Sequence, residues 1–122
     1  MKNTLTLNLQ LTNTYITICY GKKAYSKLLL KTYNVQDNLK HLVGVSTSLN
    51  TPDNKFAIVV GVCRLDNVYD LKSTIVHELS HAVSQWMEEF GINDDEVRSY
   101  TLQMIYSDAM VWLDELLKKS VK

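Results

Sequence analysis

The chain has 122 residues, enough for one hydrophobic core but too few for a core and a large second lobe, so we expect a single domain over residues 1–122. Its hydrophobic fraction of 46% and charged fraction of 21% are those of a folded globular protein and exclude a disordered one. Thirteen basic residues balance thirteen acidic ones, which argues against nucleic acid as a partner, and no apolar run approaches the ~20 residues of a membrane span.

The first third of the sequence predicts two strands and a helix. Residues 3–11 alternate leucine with small polar residues, and residues 14–20 repeat that alternation, so both indicate half-buried strands. A signal peptide would have an unbroken apolar run instead, and we expect a cytoplasmic protein. After Gly21, residues 22–33 predict a helix across the sheet. Residues 34–42 either extend this helix or form a loop.

A hairpin is predicted in the middle of the chain. Residues 44–49 and 56–64 are rich in strand-forming residues, and the segment between them has the Pro and Asx content of a turn. The second run is nearly continuous in Ile and Val, so it should be the most buried strand. Gly61 within it suggests a bulge or a close backbone approach.

Two helices are predicted to follow. Asp66, Asn67 and Asp70 offer turns and a cap before the first, and Gly91 is placed to end it. The second starts at residues 93–95 with acidic residues and ends in lysines, which suits the helix dipole. The first helix carries an apolar stripe at three- and four-residue steps, formed by Leu71, Ile75, Leu79, Ala82, Val83, Trp86 and Phe90.

The motif HELSH lies beside that stripe. His77 and His81 are four residues apart, so on a helix their imidazoles lie on one face and can bind the same metal ion. Glu78 places a carboxylate next to the metal's open position, where it can take a proton from a metal-bound water. The alternative is an ordinary amphipathic helix segment, but a solvated face more often carries Lys and Glu than two histidines around a glutamate.

Catalytic zinc usually has three protein ligands, so a third ligand is needed. Glu96 is the first candidate because a short connection would fold the last helix back against the motif helix. Asp94 and Asp95 are alternatives, and His41 is a further one with no supporting motif. Each acidic residue could instead only stabilise the helix dipole.

The run TIVHELSHAVSQWMEEFGINDDEVRSYTLQMIY resembles the small gluzincin-like zinc peptidases often encoded by bacteriophages and prophages. In these an STLVHELSHA-type helix is followed by a helix opening with Glu-x-x-small-Tyr, a pattern that Glu96, Ser99 and Tyr100 match. It also resembles the ligand helix of ImmA/IrrE-type metallopeptidases. The resemblance implies Zn²⁺ bound by His77, His81 and Glu96, with Glu78 as general base.

The resemblance also implies an α+β fold, a minimal zincin-like domain in which a small, mostly antiparallel sheet packs on the HExxH helix and a C-terminal ligand helix. Zincins commonly place a Tyr or His opposite the base, which makes Tyr100 a candidate for stabilising the transition state. Tyr100 could equally be a core aromatic. An edge strand beside the motif helix binds the substrate in zincins, and either strand of the 44–64 hairpin could serve.

Two functions from different classes follow. The first is a zinc-dependent hydrolase, a metallopeptidase acting on a peptide or protein. The second is a zincin-fold bacteriophage virion, assembly or interaction protein whose metal site is structural or inactive, in the host cytoplasm or the virion. With 122 residues the chain has little left to build a cleft, so walls would come from a phage or host protein or from a second copy.

Overall fold

The computed structural model describes residues 3–37 and 43–120. Each predicted strand and helix is present, and the boundaries agree closely for most of them. Residues 34–37 do not extend the helix, because Asn34 ends it in the left-handed conformation, and residues 38–42 lie outside the described residues. The elements in chain order are β1 (Thr4–Leu9), β2 (Thr14–Tyr20), α1 (Lys22–Tyr33), β3 (Gly44–Asn50), β4 (Phe56–Val62), α2 (Val68–Glu89) and α3 (Asp95–Ser120).

The four strands form one mixed sheet in the order β1-β2-β4-β3. The α+β class is therefore confirmed. Antiparallel pairing is correct for the two outer pairs, β1 with β2 and β3 with β4. The central pair, β2 with β4, is parallel, however. After β2 the chain passes through α1 and the outer strand β3, and it then enters β4 beside β2 and in the same direction as β2. The sheet is thus mixed, and two of its three pairings are antiparallel.

Helices cover both faces of the central strands. On one face α1 packs against Cys19 and Val59, and on the other α2 and α3 pack against the isoleucines and valines of β2 and β4. The prediction that β4 is the most buried strand is confirmed. The prediction that β2 is half-buried is wrong, because its second face is also mostly buried: Cys19 packs against α1, and Thr17 is 6% exposed. Burial there raises the pKa of the Cys19 thiol to about 12.

Gly61 does not mark a bulge. The pairing runs unbroken on both sides of it, with Val45 on β3 and Cys19 on β2. A close approach to the backbone is found at Gly44, the first residue of β3. That position lies beside α2 and is described with the site below.

Both ends of α2 have the expected signals. Asn67 is the N-cap, and its side chain accepts a hydrogen bond from the Asp70 N–H at 3.2 Å. At the other end Gly91 has φ +66°, and the Ile92 N–H donates to the Met87 carbonyl at 2.8 Å. This is the glycine-terminated helix end that satisfies otherwise unpaired carbonyls and turns the chain towards α3.

The last two helices run antiparallel. Near the start of α3, Arg98 donates hydrogen bonds to Ser80 and Ser84 of α2. Near its end, Asp114 forms an ion pair with Lys72 at 3.5 Å. The predicted fold-back of the last helix is therefore confirmed. None of the helices in residues 3–37 and 43–120 is both long and apolar enough to cross a membrane.

Replacing Gly91 tests the helix end that directs α3. A side chain at this position meets no atom within 4 Å, so the cost of Gly91→Ala comes from the positive φ alone. We expect Gly91→Ala to lower the free energy of unfolding by about 1–2 kcal/mol in urea titrations. Gly91→Asn should cost less, because asparagine tolerates the left-handed conformation; equal losses for both variants would contradict this assignment.

Candidate metal centre

The two motif histidines converge on the exposed face of α2. Both side chains are exposed, and their Nε2 atoms are 3.2 Å apart. The rings stand nearly perpendicular, at an interplanar angle of 85°. The apolar stripe of α2 causes this arrangement, because burying residues such as Ile75 and Leu79 under the sheet turns the opposite side of the helix outwards. The i, i+4 spacing then brings the rings together.

This separation fits a tetrahedral zinc ion. With Zn–N bonds of ~2.0–2.1 Å and a tetrahedral angle, two coordinating nitrogens lie about 3.3–3.4 Å apart. The measured 3.2 Å between His77 Nε2 and His81 Nε2 is close to that value. In the metal-free protein the same two atoms can share one proton as a hydrogen bond. Metal binding requires both Nε2 atoms to be unprotonated, with the remaining ring proton on Nδ1.

Glu78 lies between the histidines and the sheet. It is one of the few buried polar residues, at 8% exposed. An ideal Cβ placed on Gly44 would be 3.1 Å from its Oε2 atom and 3.0 Å from its Cγ atom. The Glu78 carboxylate therefore lies directly against the backbone of β3 at its first residue. Helix geometry places Glu78 about 60° from His81 around the axis, so the carboxylate flanks the imidazole pair.

The strand above Glu78 is an edge of the sheet. Because β4 is paired on both sides, only β3 of the predicted hairpin has a free edge. The Cys63 N–H donates to the Val43 carbonyl at 2.9 Å, which identifies the odd-numbered residues of β3 as those bonded to β4. The N–H and C=O groups of Gly44, Ser46 and Ser48 therefore point to the free edge, on the side of α2 that carries the histidines.

Gln85 contacts this edge in its centre. Its Nε2 donates to the Ser46 carbonyl at 3.1 Å, and its Oε1 accepts from the Ser46 hydroxyl at 3.0 Å. Gln85 comes one turn after His81, so α2 is tied to the edge strand directly beside the histidine pair. A peptide that paired with β3 would share or displace this contact, while the edge groups of Gly44 and Ser48 are not involved in it.

The expected third ligands lie away from the two histidines. No group of three His, Cys, Asp or Glu side chains placed to hold a metal occurs among the described residues. Arg98 contacts α2, and Glu96, two residues earlier, is about 200° away around α3, on its exposed side. Asp94 caps α3 by accepting from the Glu96 and Val97 N–H groups.

The other predicted site residues are also apart from the histidines. Tyr100 is 67% exposed and lies on the outer side of α3, where it neither packs in the core nor faces the imidazoles. Asp95 is exposed in the first turn of α3. His41 lies outside the described residues. Glu96 and Tyr100 remain predictions, and Glu96 would need a rearranged first turn of α3 to reach the pair.

Sequence reasoning missed three residues around the site. Gly44 permits the contact with Glu78, Gln85 holds the edge strand, and Arg98 joins α3 to α2 beside the histidines. Gln85 and the two serines bound by Arg98 occur at three- and four-residue steps from the histidines, so they could have been identified as lining the same helix face. Gly44 had no comparable signal, because its partner is distant in sequence.

No family model matches this chain, and neither a curated protein nor a solved structure shows significant similarity to it.

Gly44→Ala tests the contact between β3 and Glu78. The new methyl group would lie 2.8 Å from Thr74 Cγ2 and 3.0 Å from Glu78 Cγ, which forces the strand or the carboxylate to move. We expect a loss of about 1–3 kcal/mol in unfolding free energy by chemical denaturation. Ser48→Ala, on the same strand and exposed, should change it by less than about 0.5 kcal/mol. A neutral Gly44→Ala would show that the close approach is absent in solution.

Proposed function

We propose that this protein is a zinc-dependent hydrolase that cleaves peptides, with His77 and His81 as metal ligands and Glu78 as general base. The supporting observation is the 3.2 Å separation of the two Nε2 atoms, which is close to the distance between two nitrogen ligands of a tetrahedral zinc ion. The buried carboxylate of Glu78 lies beside them on the same helix. Two imidazoles suit zinc better than Mg²⁺ or Ca²⁺, which prefer oxygen ligands. A third protein ligand, with Glu96 as the first candidate, would complete the set.

Zinc bound there would lower the pKa of a coordinated water to about 7 and polarise the substrate carbonyl. The protein's own contribution is positional. Glu78, held against Gly44, accepts a proton from the attacking water and can pass it to the leaving amine. The free edge of β3 offers main-chain groups to an extended peptide, which would run about 4.8 Å from the strand and over the histidine face.

A second candidate is an interaction protein of the same fold with a structural or inactive site. A specific observation favours it: a groove between β1 and α3 has apolar walls, with Leu11 83% and Met104 52% exposed. Such a surface suits a protein partner. The two functions differ in whether the metal site turns over substrate.

Metal content tests the ligand set. We expect about one zinc per chain by mass spectrometry after dialysis against zinc at neutral pH, and loss of most of it in His77→Ala and His81→Ala. Zinc should also raise the melting temperature of wild type, since a ligand that binds only the folded state stabilises it. Comparing Glu96→Ala with His41→Ala, Asp94→Ala and Asp95→Ala identifies the third ligand. Wild type that stays metal-free under these conditions would contradict the proposal.

Glu78→Gln tests catalysis separately from metal binding. The amide keeps the shape of the side chain but cannot accept the proton, so we expect zinc content to be retained and kcat for peptide hydrolysis to fall by about 10²- to 10⁴-fold. Glu88→Gln, an exposed change on the same helix, is the matched control and should leave kcat unchanged. Zinc-loaded wild type that cleaves no member of a mixed peptide library would favour the interaction protein instead.

A further inference from the structure

Arg98 connects the start of α3 to the helix that carries the histidines. Its Nη1 donates to the Ser84 hydroxyl at 2.5 Å and its Nη2 to the Ser80 hydroxyl at 2.9 Å. Both terminal nitrogens of the Arg98 guanidinium are therefore hydrogen-bonded to α2. The residue is only half-buried, so part of the group remains open to solvent.

The two serines are neighbours of the two histidines. Ser80 comes three residues after His77, and Ser84 comes three residues after His81. Side chains three apart on a helix have Cβ atoms about 5–6 Å apart. The Arg98 guanidinium consequently lies on the α3 side of the imidazole pair, with Glu78 and the edge strand on the other side.

The positive charge of Arg98 is not neutralised by a described carboxylate. Within residues 3–37 and 43–120, the two ion pairs are Lys55 with Asp53 and Lys72 with Asp114. The nearby Asp94 carboxylate caps α3 instead. A guanidinium has five N–H donors, and the two serines accept from two nitrogens, so donors remain for another acceptor.

A purely structural link between the helices would not need a cation. A neutral amide could donate to the serine hydroxyls, whereas a half-buried charge without a counter-ion has a desolvation cost. The remaining donors and the charge together suit an anion, and guanidinium binds carboxylates in a planar, bidentate geometry.

We propose that Arg98, held by Ser80 and Ser84, binds the C-terminal carboxylate of a peptide whose preceding bonds lie over His77 and His81. This inference rests on the proposed function and names its substrate class. An extended residue spans about 3.3–3.6 Å, so a carboxylate at Arg98 places the bond one or two residues upstream at the imidazoles. The protein would thus remove one or two residues from the C-terminus.

Binding of acetyl-Ala-Ala and of its C-terminal amide tests this subsite. We measure both affinities by NMR titration, in zinc-loaded Glu78→Gln protein and in zinc-free wild type. We expect the free acid to bind about 10- to 100-fold more tightly than the amide, as for other hydrogen bonds between charged groups. Equal affinities for acid and amide in both forms would overturn the inference.

Variants assign the preference to Arg98. In Arg98→Met the acid should lose its advantage and bind within about twofold of the amide. Arg98→Lys should retain only part of the preference, because lysine lacks the planar fork. Lys72→Met removes a cation from the other end of the same helix pair and is the matched control, with the preference intact. A preference that survives in Arg98→Met would overturn the assignment.

Kinetics separate this role from others. With peptide substrates, Arg98→Met should raise KM for free acids by a larger factor than KM for amides; an equal fall in kcat for both would indicate transition-state stabilisation and overturn the inference. Failure of the proposed function would give a different result. If the protein binds no zinc but still prefers the free acid to the amide, the carboxylate subsite is supported and the hydrolase proposal is not. Zinc-dependent cleavage without any C-terminal preference overturns the subsite alone.

Discussion

The rotation of α2 about its own axis is the constraint on which the site depends. Its apolar stripe is buried against β2 and β4 from Leu71 to Trp86, whereas Phe90 at the end of the stripe is 41% exposed. Turning the helix by one residue would move about 100° of surface, exposing part of this stripe and burying histidine. Packing therefore fixes which side chains face outwards, and it brings the two imidazoles together on the exposed side of α2.

The position of α2 along the sheet is fixed by polar contacts at its margins. On one side Gln85 bonds to Ser46, and Gly44 allows the Glu78 carboxylate to lie against β3. On the other side Arg98 bonds to two serines of α2. Each contact joins the histidine helix to a different element, so the site is held between an edge strand and the start of α3. A shift in either neighbour would change what flanks the imidazoles.

Local signals in the sequence were sufficient to predict the strands, the helices and the convergence of the two histidines. Alternating leucines predicted β1, Asn67 and Gly91 predicted the limits of α2, and the four-residue spacing predicted that His77 and His81 converge. Each of these depends on neighbours within a few residues. The parallel pairing of β2 with β4 could not be predicted in this way, because it depends on where α1 leads the chain, and α1 also buries the face of β2 expected to be exposed.

The third ligand shows the same limit at the site itself. Spacing alone places Glu96 near the histidines once α3 folds back, and the fold-back is present. Which face of α3 is turned towards α2 depends instead on packing: Ile105, Ala109 and Leu113 are buried, and Arg98 lies on that same face. Glu96, two residues from Arg98, is consequently turned outwards. Glu96 and Arg98 differ by about 200° around the axis of α3, and this difference determines which of them faces α2. The sequence motif alone does not specify the rotation of α3.

The charges on the two sides of the histidine face would give a bound peptide a direction. On the β3 side are main-chain groups and the side chain of Glu78, which suit the uncharged backbone of an extended segment and a water to be deprotonated. On the α3 side is the cationic Arg98, which suits a terminal carboxylate. If the two proposals hold, the substrate's body lies along β3 and its C-terminus points to α3. Main-chain contacts and one terminal charge would then supply much of the binding without side-chain pockets, so the protein should tolerate many residue types near the cleaved bond.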